Sequence, residues 1–143
     1  MKLLNLINKK VHIIGINGIG MSALAVYLKK NKIDVSGSDI ASNSNTKILE
    51  RNGIPVQTGH KPSNVRGKDI IFYSTAIKDN PEIDAAKKSN IPFYNRSKLL
   101  QLICNDKFTI VVTGSHGKTT TTSMLGHLLV CSGLSPTIIT GGI

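Results

Sequence analysis

Short β-branched runs and longer segments with helical spacing alternate along this chain. Val11 to Ile16 is apolar and reads as a strand. Met21 to Leu28 follows with the spacing of a helix, and Ile33 to Ser38 is a second strand ending at Asp39. Ser44 to Asn52 has a polar start, helical spacing and a terminal Gly53, which predicts a short helix. Ile54 to Gln57 predicts a short strand that Pro55 keeps near a sheet edge, and Gly59 to Ser63 is a loop in which His60 reads as a surface residue. Asp69 to Ser74 has the composition of a buried strand. Asn80-Pro81-Glu82 opens a helix through Lys88 with Asn80 as its cap, Ile91 to Tyr94 is another short strand, and Ser97 to Ile103 is a short helix. Alternation of this kind predicts a parallel α/β sheet.

Around Cys104-Asn105-Asp106-Lys107 the pattern restarts. Phe108 to Thr113 predicts a strand and Thr121 to Val130 a helix, with Gly133 as its C-cap. Thr137 to Ile143 predicts one more strand and turn. The division predicts a first domain over residues 1–105 and the opening of a second over 106–143. A β-α-β segment of under about 40 residues does not cover both faces of a parallel sheet, so the second domain is expected to be truncated.

Composition changes this picture little. No apolar run approaches the roughly 18 residues of a membrane span, and Met1 to Lys10 lacks the apolar stretch and cleavage site of a secretory signal. A cytosolic protein without membrane contact is expected. Cys104 and Cys131 have no C-x-x-C spacing and are expected to be reduced thiols. The net charge of +10 could point to nucleic acid, yet the lysines are dispersed as pairs such as Lys9-Lys10, Lys29-Lys30 and Lys87-Lys88. Solvated faces account for them, and no nucleic-acid partner is expected.

The candidate chemistry lies in two glycine loops. The first, Gly15-Ile16-Asn17-Gly18-Ile19-Gly20, joins strand to helix, and Gly18, Gly20 and Ala23 fit G-x-G-x-x-[GA]. In that pattern the first glycine permits a tight turn and the second lets the backbone approach a diphosphate. Asp39 stands near the spacing at which an acid accepts from a ribose, and Ser74 and Thr75 follow a strand whose carboxyl end would face the same crevice. Alternatively, the glycines merely close a turn, Asp39 caps the next helix, and the two hydroxyls bond their own backbone. The second loop, Thr113-Gly114-Ser115-His116-Gly117-Lys118-Thr119-Thr120, predicts a triphosphate site. Its amides would surround phosphate oxygens, Lys118 would reach the outer phosphates, and the Thr119 hydroxyl would ligate Mg²⁺. Val112 occupies the place of the first Walker glycine, so the loop is a shorter variant of that motif.

Two different phosphate loops about a hundred residues apart, together with Ser74-Thr75-Ala76-Ile77, Asn80-Pro81-Glu82-Ile83 and the terminal Gly141-Gly142-Ile143, resemble the amino-terminal part of a Mur ligase in order and spacing. The resemblance implies a Rossmann-like domain that binds a UDP-sugar, followed by the start of a P-loop-type ATPase domain. It implies an ATP-dependent ligase of peptidoglycan synthesis that joins L-alanine to the carboxylate of UDP-N-acetylmuramate through an acyl phosphate, with ATP and Mg²⁺ required. Gly15, Asn17, Gly18, Ile19, Gly20, Asp39, Ser74 and Thr75 would then surround the UDP-sugar. Gly114, Ser115, His116, Gly117, Lys118, Thr119 and Thr120 would hold ATP, with Lys118 and Thr119 catalytic and Thr119 on the metal. His116 is expected to shape the loop rather than act as a base. The amino-acid site would lie outside this chain, which would be inactive alone. Two alternatives share the motifs: a stand-alone UDP-sugar-binding module, and the related ligase that attaches a recycled murein tripeptide. The family usually has glycine where Asn17 stands, threonine where Ser115 stands and an acid where Lys98 stands. Asn17 is expected to be tolerated because asparagine accepts left-handed backbone.

Overall fold

A computed structural model describes residues 2–105 and 107–140, and the chain divides into two compact units, Met1–Lys107 and Phe108–Ile143. The first unit is an α/β sheet domain. Five parallel strands, β1 (Lys10–Ile14), β2 (Asp34–Asp39), β3 (Val56–Thr58), β4 (Ile70–Tyr73) and β5 (Phe93–Asn95), lie in the order β3-β2-β1-β4-β5. The helices are α1 (Ile19–Lys30), α2 (Ser44–Arg51), α3 (Pro81–Lys88) and α4 (Arg96–Cys104). Chain order runs outward from β1 to β3, then returns to β4 on the other side of β1. Right-handed crossovers therefore place α1 and α2 on one face and α3 on the other, and the order reverses between β1 and β4.

Sequence determines these elements locally. Asn43, not Asp39, caps α2: its side chain accepts from the amides of Asn45 and Thr46, while the Thr46 hydroxyl accepts from the Asn43 amide at 2.9 Å. Asn80 caps α3 by accepting from the Glu82 amide at 2.8 Å, and Pro81 fills the first helical position, where no donor is needed. The three residues of β3 at the sheet edge leave Pro55 just outside the ladder, where its carbonyl still accepts from the Gly37 amide.

Strand alternation then divides the interior. Ile13, Leu24, Leu28, Val35 and Leu49 are buried, as are Ile14, Val65, Ile71, Ile83 and Ala86 of a second cluster that α3 covers. His12 shares a face with Ile14, and register brings Ser36 beside His12 and Ser38 beside Ile14. Polar groups thus enter the α3 side of the sheet.

The second unit holds α5 (Lys118–Cys131), which ends as expected in a left-handed Gly133 (φ 79°) whose amide and that of Leu134 close the last turn. The strands expected over residues 108–113 and 137–140 are absent: neither stretch adopts strand structure. A strand persists only in a ladder, and a parallel ladder needs both faces covered. Within the described residues of this unit a single helix offers one apolar surface, with Ile138 packed over Gly126. Phe108, Val111 and Met124 remain 94%, 75% and 63% exposed. Gly141-Gly142-Ile143 lies outside the described residues.

Candidate functional site: the carboxyl edge of the sheet and the 114–120 loop

One row of residues crosses the carboxyl edge of the first unit's sheet. Ser38, Ile14, Tyr73 and Asn95 are in register on β2, β1, β4 and β5. The next residue of each chain segment is therefore Asp39, Gly15, Ser74 and Arg96, side by side at the reversal of strand order where open parallel sheets bind ligands. Gly15 and Ser74 meet there. A Cβ on Gly15 would stand 3.1 Å from Ser74 Cβ, and the Ser74 amide donates to the Ile14 carbonyl at 3.1 Å. The Ser74 hydroxyl also accepts, weakly, from the Ala76 amide at 3.4 Å, while Thr75 next to it is exposed.

The turn of the first loop is made at Gly15, whose φ of 76° is left-handed, rather than at Gly18, which is extended (φ −61°, ψ 139°) and serves as the N-cap of α1. The amides of Gly15 and Ile16 both donate to the Ser38 carbonyl, at 2.8 and 3.1 Å, which binds the loop to β2. Gly20 lies in the first turn of α1. The space beside its Cα is filled by the Arg96 guanidinium, which lies 2.6 to 2.8 Å from where a Cβ would stand.

Asp39 and Asn17 form the outer wall. Asp39 Oδ2 accepts from the Asn17 amide and Oδ1 from the Ile40 amide, each at 2.8 Å, leaving further lone pairs on both oxygens. Asn17 is buried, and its φ is not positive. Left-handed tolerance therefore does not explain asparagine at this position. Instead its Nδ2 donates to the Ala41 carbonyl at 2.7 Å, and its own carbonyl accepts from the side chains of Asn43 and Asn45 at 3.2 and 2.8 Å. Asn17→Gly should lower unfolding free energy by about 1 kcal/mol through loss of the Ala41 bond; a urea midpoint equal to wild type would remove that role. Lys98, half-buried on α4, donates to the Gln101 side chain at 2.9 Å.

A buried polar network lies under this edge. The carboxylate of Glu82 is inaccessible to solvent. It accepts from the Ser38 hydroxyl at 2.6 Å, from Asn64 Nδ2 at 2.5 Å and from the Lys61 amide at 3.3 Å, with His12 Nε2 and His60 Nδ1 each 3.5 Å away. His60 is thus not the surface residue expected: its side chain is 12% exposed and its Nδ1 lies 3.1 Å from the Ser38 hydroxyl. Burial by itself would raise the Glu82 pKa, but the contact with His12, the hydrogen bonds from Ser38 and Asn64 and the attraction of His12 outweigh it and hold the carboxyl below its ordinary value. The sequence reading assigned no function to Glu82, His12 or Arg96. His12, a polar residue inside an apolar strand, was the one available signal.

In the second unit, Gly117 is left-handed (φ 75°) and caps α5, so the helix begins at Lys118. The Lys118 ammonium donates to the carbonyls of Gly114 and Ser115 at 2.6 and 3.2 Å, folding over its own loop. Ser115, His116, Thr119 and Thr120 are exposed. The Thr122 hydroxyl donates to the Lys118 carbonyl at 2.8 Å, the backbone function expected of the later threonines. Thr119, in the first turn of α5, makes no side-chain hydrogen bond within the described residues. A neutral hydroxyl there fits one position on a Mg²⁺ otherwise ligated by phosphate oxygens and water.

A family model described as "Mur ligase family, catalytic domain" matches residues 10–108, the span of the sheet unit. The UDP-N-acetylmuramate--L-alanine ligase of Aquifex aeolicus is 50% identical over 135 residues, covering 94% of this chain and 30% of that protein. An alignment of 135 in 143 residues necessarily includes the 114–120 loop. Among solved structures, the UDP-N-acetylmuramate-alanine ligase of Thermotoga maritima superposes with a TM-score of 0.88 at 39% identity, over 94% of this chain and 32% of that one. A UDP-N-acetylmuramate:L-alanyl-gamma-D-glutamyl-meso-diaminopimelate ligase from Neisseria superposes with a TM-score of 0.86 at 31% identity, over 94% and 43%. The chain thus spans 28 to 30% of the length of the curated relatives it matches.

Proposed function

This chain belongs to the Mur ligase family, and we propose that it serves the ATP-dependent joining of L-alanine to UDP-N-acetylmuramate in peptidoglycan synthesis, with residues 1–105 binding the sugar nucleotide and residues 106–143 opening the ATP-binding domain. The observation that carries this reading is one alignment at 50% identity running through both phosphate loops. The alanine-adding relative in the structural comparison also exceeds the tripeptide-adding one in identity, 39% against 31%, which favours L-alanine as the amine.

In the reaction, the γ-phosphoryl group of ATP passes to the substrate carboxylate with release of ADP. The L-alanine amine then attacks the acyl carbon, phosphate leaves, and an amide remains. Lys118 would swing from the Gly114 and Ser115 carbonyls onto the phosphoryl oxygens and offset charge that grows during transfer. The amides of the 114–117 loop and the start of α5 would orient the phosphates. A Mg²⁺ held in part by Thr119 would neutralise phosphate charge. At the sheet edge, the amides of Ile19 and Gly20, which have no main-chain acceptor, would face the diphosphate of the sugar nucleotide, with Ser74 opposite and Asp39 and Thr75 at the rim.

Isothermal calorimetry of the 143-residue chain with UDP-N-acetylmuramate tests the first half of this reading. Saturable one-to-one binding is expected, and none would overturn it. Residues 107–143 contain neither aspartate nor glutamate, so this segment itself supplies no acidic metal ligand to accompany Thr119. Incubated with ATP, Mg²⁺, L-alanine and the sugar nucleotide, it is expected to form no ligation product; product formation would refute the proposed division of labour.

A further inference from the structure

Arg96 stands out among the charged groups of the sheet edge. It is the first residue of α4 and the fourth member of the row Asp39, Gly15, Ser74, Arg96. From there its side chain crosses toward the first loop and lays its guanidinium flat against Gly20, in the first turn of α1. A side chain on Gly20 would collide with all three of Cζ, Nη1 and Nη2. The Arg96 Nε is fully enclosed and has no hydrogen-bond partner, and no carboxylate pairs with the guanidinium among the described residues. Arg96 as a whole is half-buried, but its enclosed Nε–H meets neither water nor an acceptor, which costs the desolvation of one donor. Beside it, the amides of Ile19 and Gly20 also have no main-chain acceptor. Two amides without a main-chain acceptor at the start of a twelve-residue helix thus have a cation without a carboxylate partner beside them, against Gly20.

We propose that Arg96 is a diphosphate-binding residue of the sugar-nucleotide site, with its planar guanidinium taking the β-phosphate while the start of α1 takes the α-phosphate. This rests on the sugar-nucleotide reading above and goes beyond the glycine motif, which contains no cation. Gly20 is the matching half of the device: its missing side chain lets a cation from the far side of the sheet reach the loop. Geometry also sets the specificity. A fork of N–H donors matches two oxygens of one phosphate, and the fixed amides of α1 match those of the other, so a nucleoside diphosphate is favoured over a monophosphate.

Calorimetry on the full chain with UDP-N-acetylmuramate, UDP and UMP tests this, using Arg96→Ala and Arg96→Lys and thermal melting to establish folding. Arg96→Ala should weaken UDP-N-acetylmuramate and UDP binding by about 10- to 100-fold, in line with loss of charge-assisted hydrogen bonds, and should bring the UDP and UMP affinities together. Arg96→Lys should retain part of the preference for UDP, because charge survives and the fork does not. If wild type binds UDP-N-acetylmuramate and folded Arg96→Ala binds it equally well with an unchanged preference for UDP over UMP, Arg96 has no such function while the site stands. A wild-type chain that binds none of the three ligands overturns both the site and Arg96's part in it.

Discussion

Glu82→Leu should cost about 3 to 5 kcal/mol of unfolding free energy, the range found when one partner of a buried charged network is removed. The loss comes from the donors left behind. The Ser38 hydroxyl, Asn64 Nδ2 and the Lys61 amide all donate to this carboxylate, and His12 and His60 stand beside it in a place closed to solvent. Leucine matches the volume of glutamate and satisfies none of them. Glu82→Gln retains one acceptor oxygen and should cost less, about 1 to 3 kcal/mol.

The same carboxylate makes stability depend on pH in a stated direction. Its pKa is lower in the folded chain than its ordinary 4.5, so the folded state takes up this proton less readily than the unfolded state. The stabilisation is therefore complete above about pH 4.5 and is lost as pH falls through the lower folded value. Denaturant titrations at pH 6 and at pH 3.5 should show a drop for wild type that is reduced in Glu82→Gln. Equal drops in the two proteins would mean that other groups set the acid limit.

Glu82 also marks where sequence stops being informative. Strands β1, β2 and β4 were legible because apolar runs report burial directly, and the caps at Asn80 and Gly133 because capping is local chemistry. Both glycine loops were legible as spacings that join a following helix. The network under the edge was not, since it joins residues from β1, β2, the loop after β3 and the start of α3, and no spacing encodes that meeting. Glu82 read as an ordinary acid in a first helical turn, and His60 as a loop residue, because each is polar in a locally polar segment. Arg96 escaped notice for the same reason: what sets it apart is its reach past β4 to Gly20. Phe108 to Thr113 failed in the opposite sense. Its composition is that of a strand, but composition cannot supply neighbours, and in the described residues of its unit no ladder forms.

Gly37→Ala should be the most damaging change that adds a single carbon. Gly37 sits inside β2, paired with Ile13 on one side and Val56 on the other. Its φ is not left-handed, so alanine suffers no conformational strain there, and the cost is purely one of space. An added Cβ would stand 2.6 Å from the Ile13 carbonyl oxygen and 2.7 Å from Ile16 Cβ, with Ile16 Cδ1 nearer still. Neither obstacle can yield cheaply. Ile13 belongs to the central strand of the sheet, and Ile16 is completely buried within the first glycine loop, whose amides are bound to the Ser38 carbonyl beside Gly37. Relief would require β2 to slide or the loop to lift, and either movement disturbs Gly15 and the row of residues at the carboxyl edge. We expect a loss of about 3 kcal/mol or more, at the upper end of what overpacking costs. Because the obstruction lies under the loop, any Gly37→Ala protein that still folds should also bind UDP-N-acetylmuramate more weakly than wild type. Guanidinium unfolding followed by calorimetry measures both. A midpoint within error of wild type would show that Ile16 can move aside, and that the first loop is not held in place by close packing against β2.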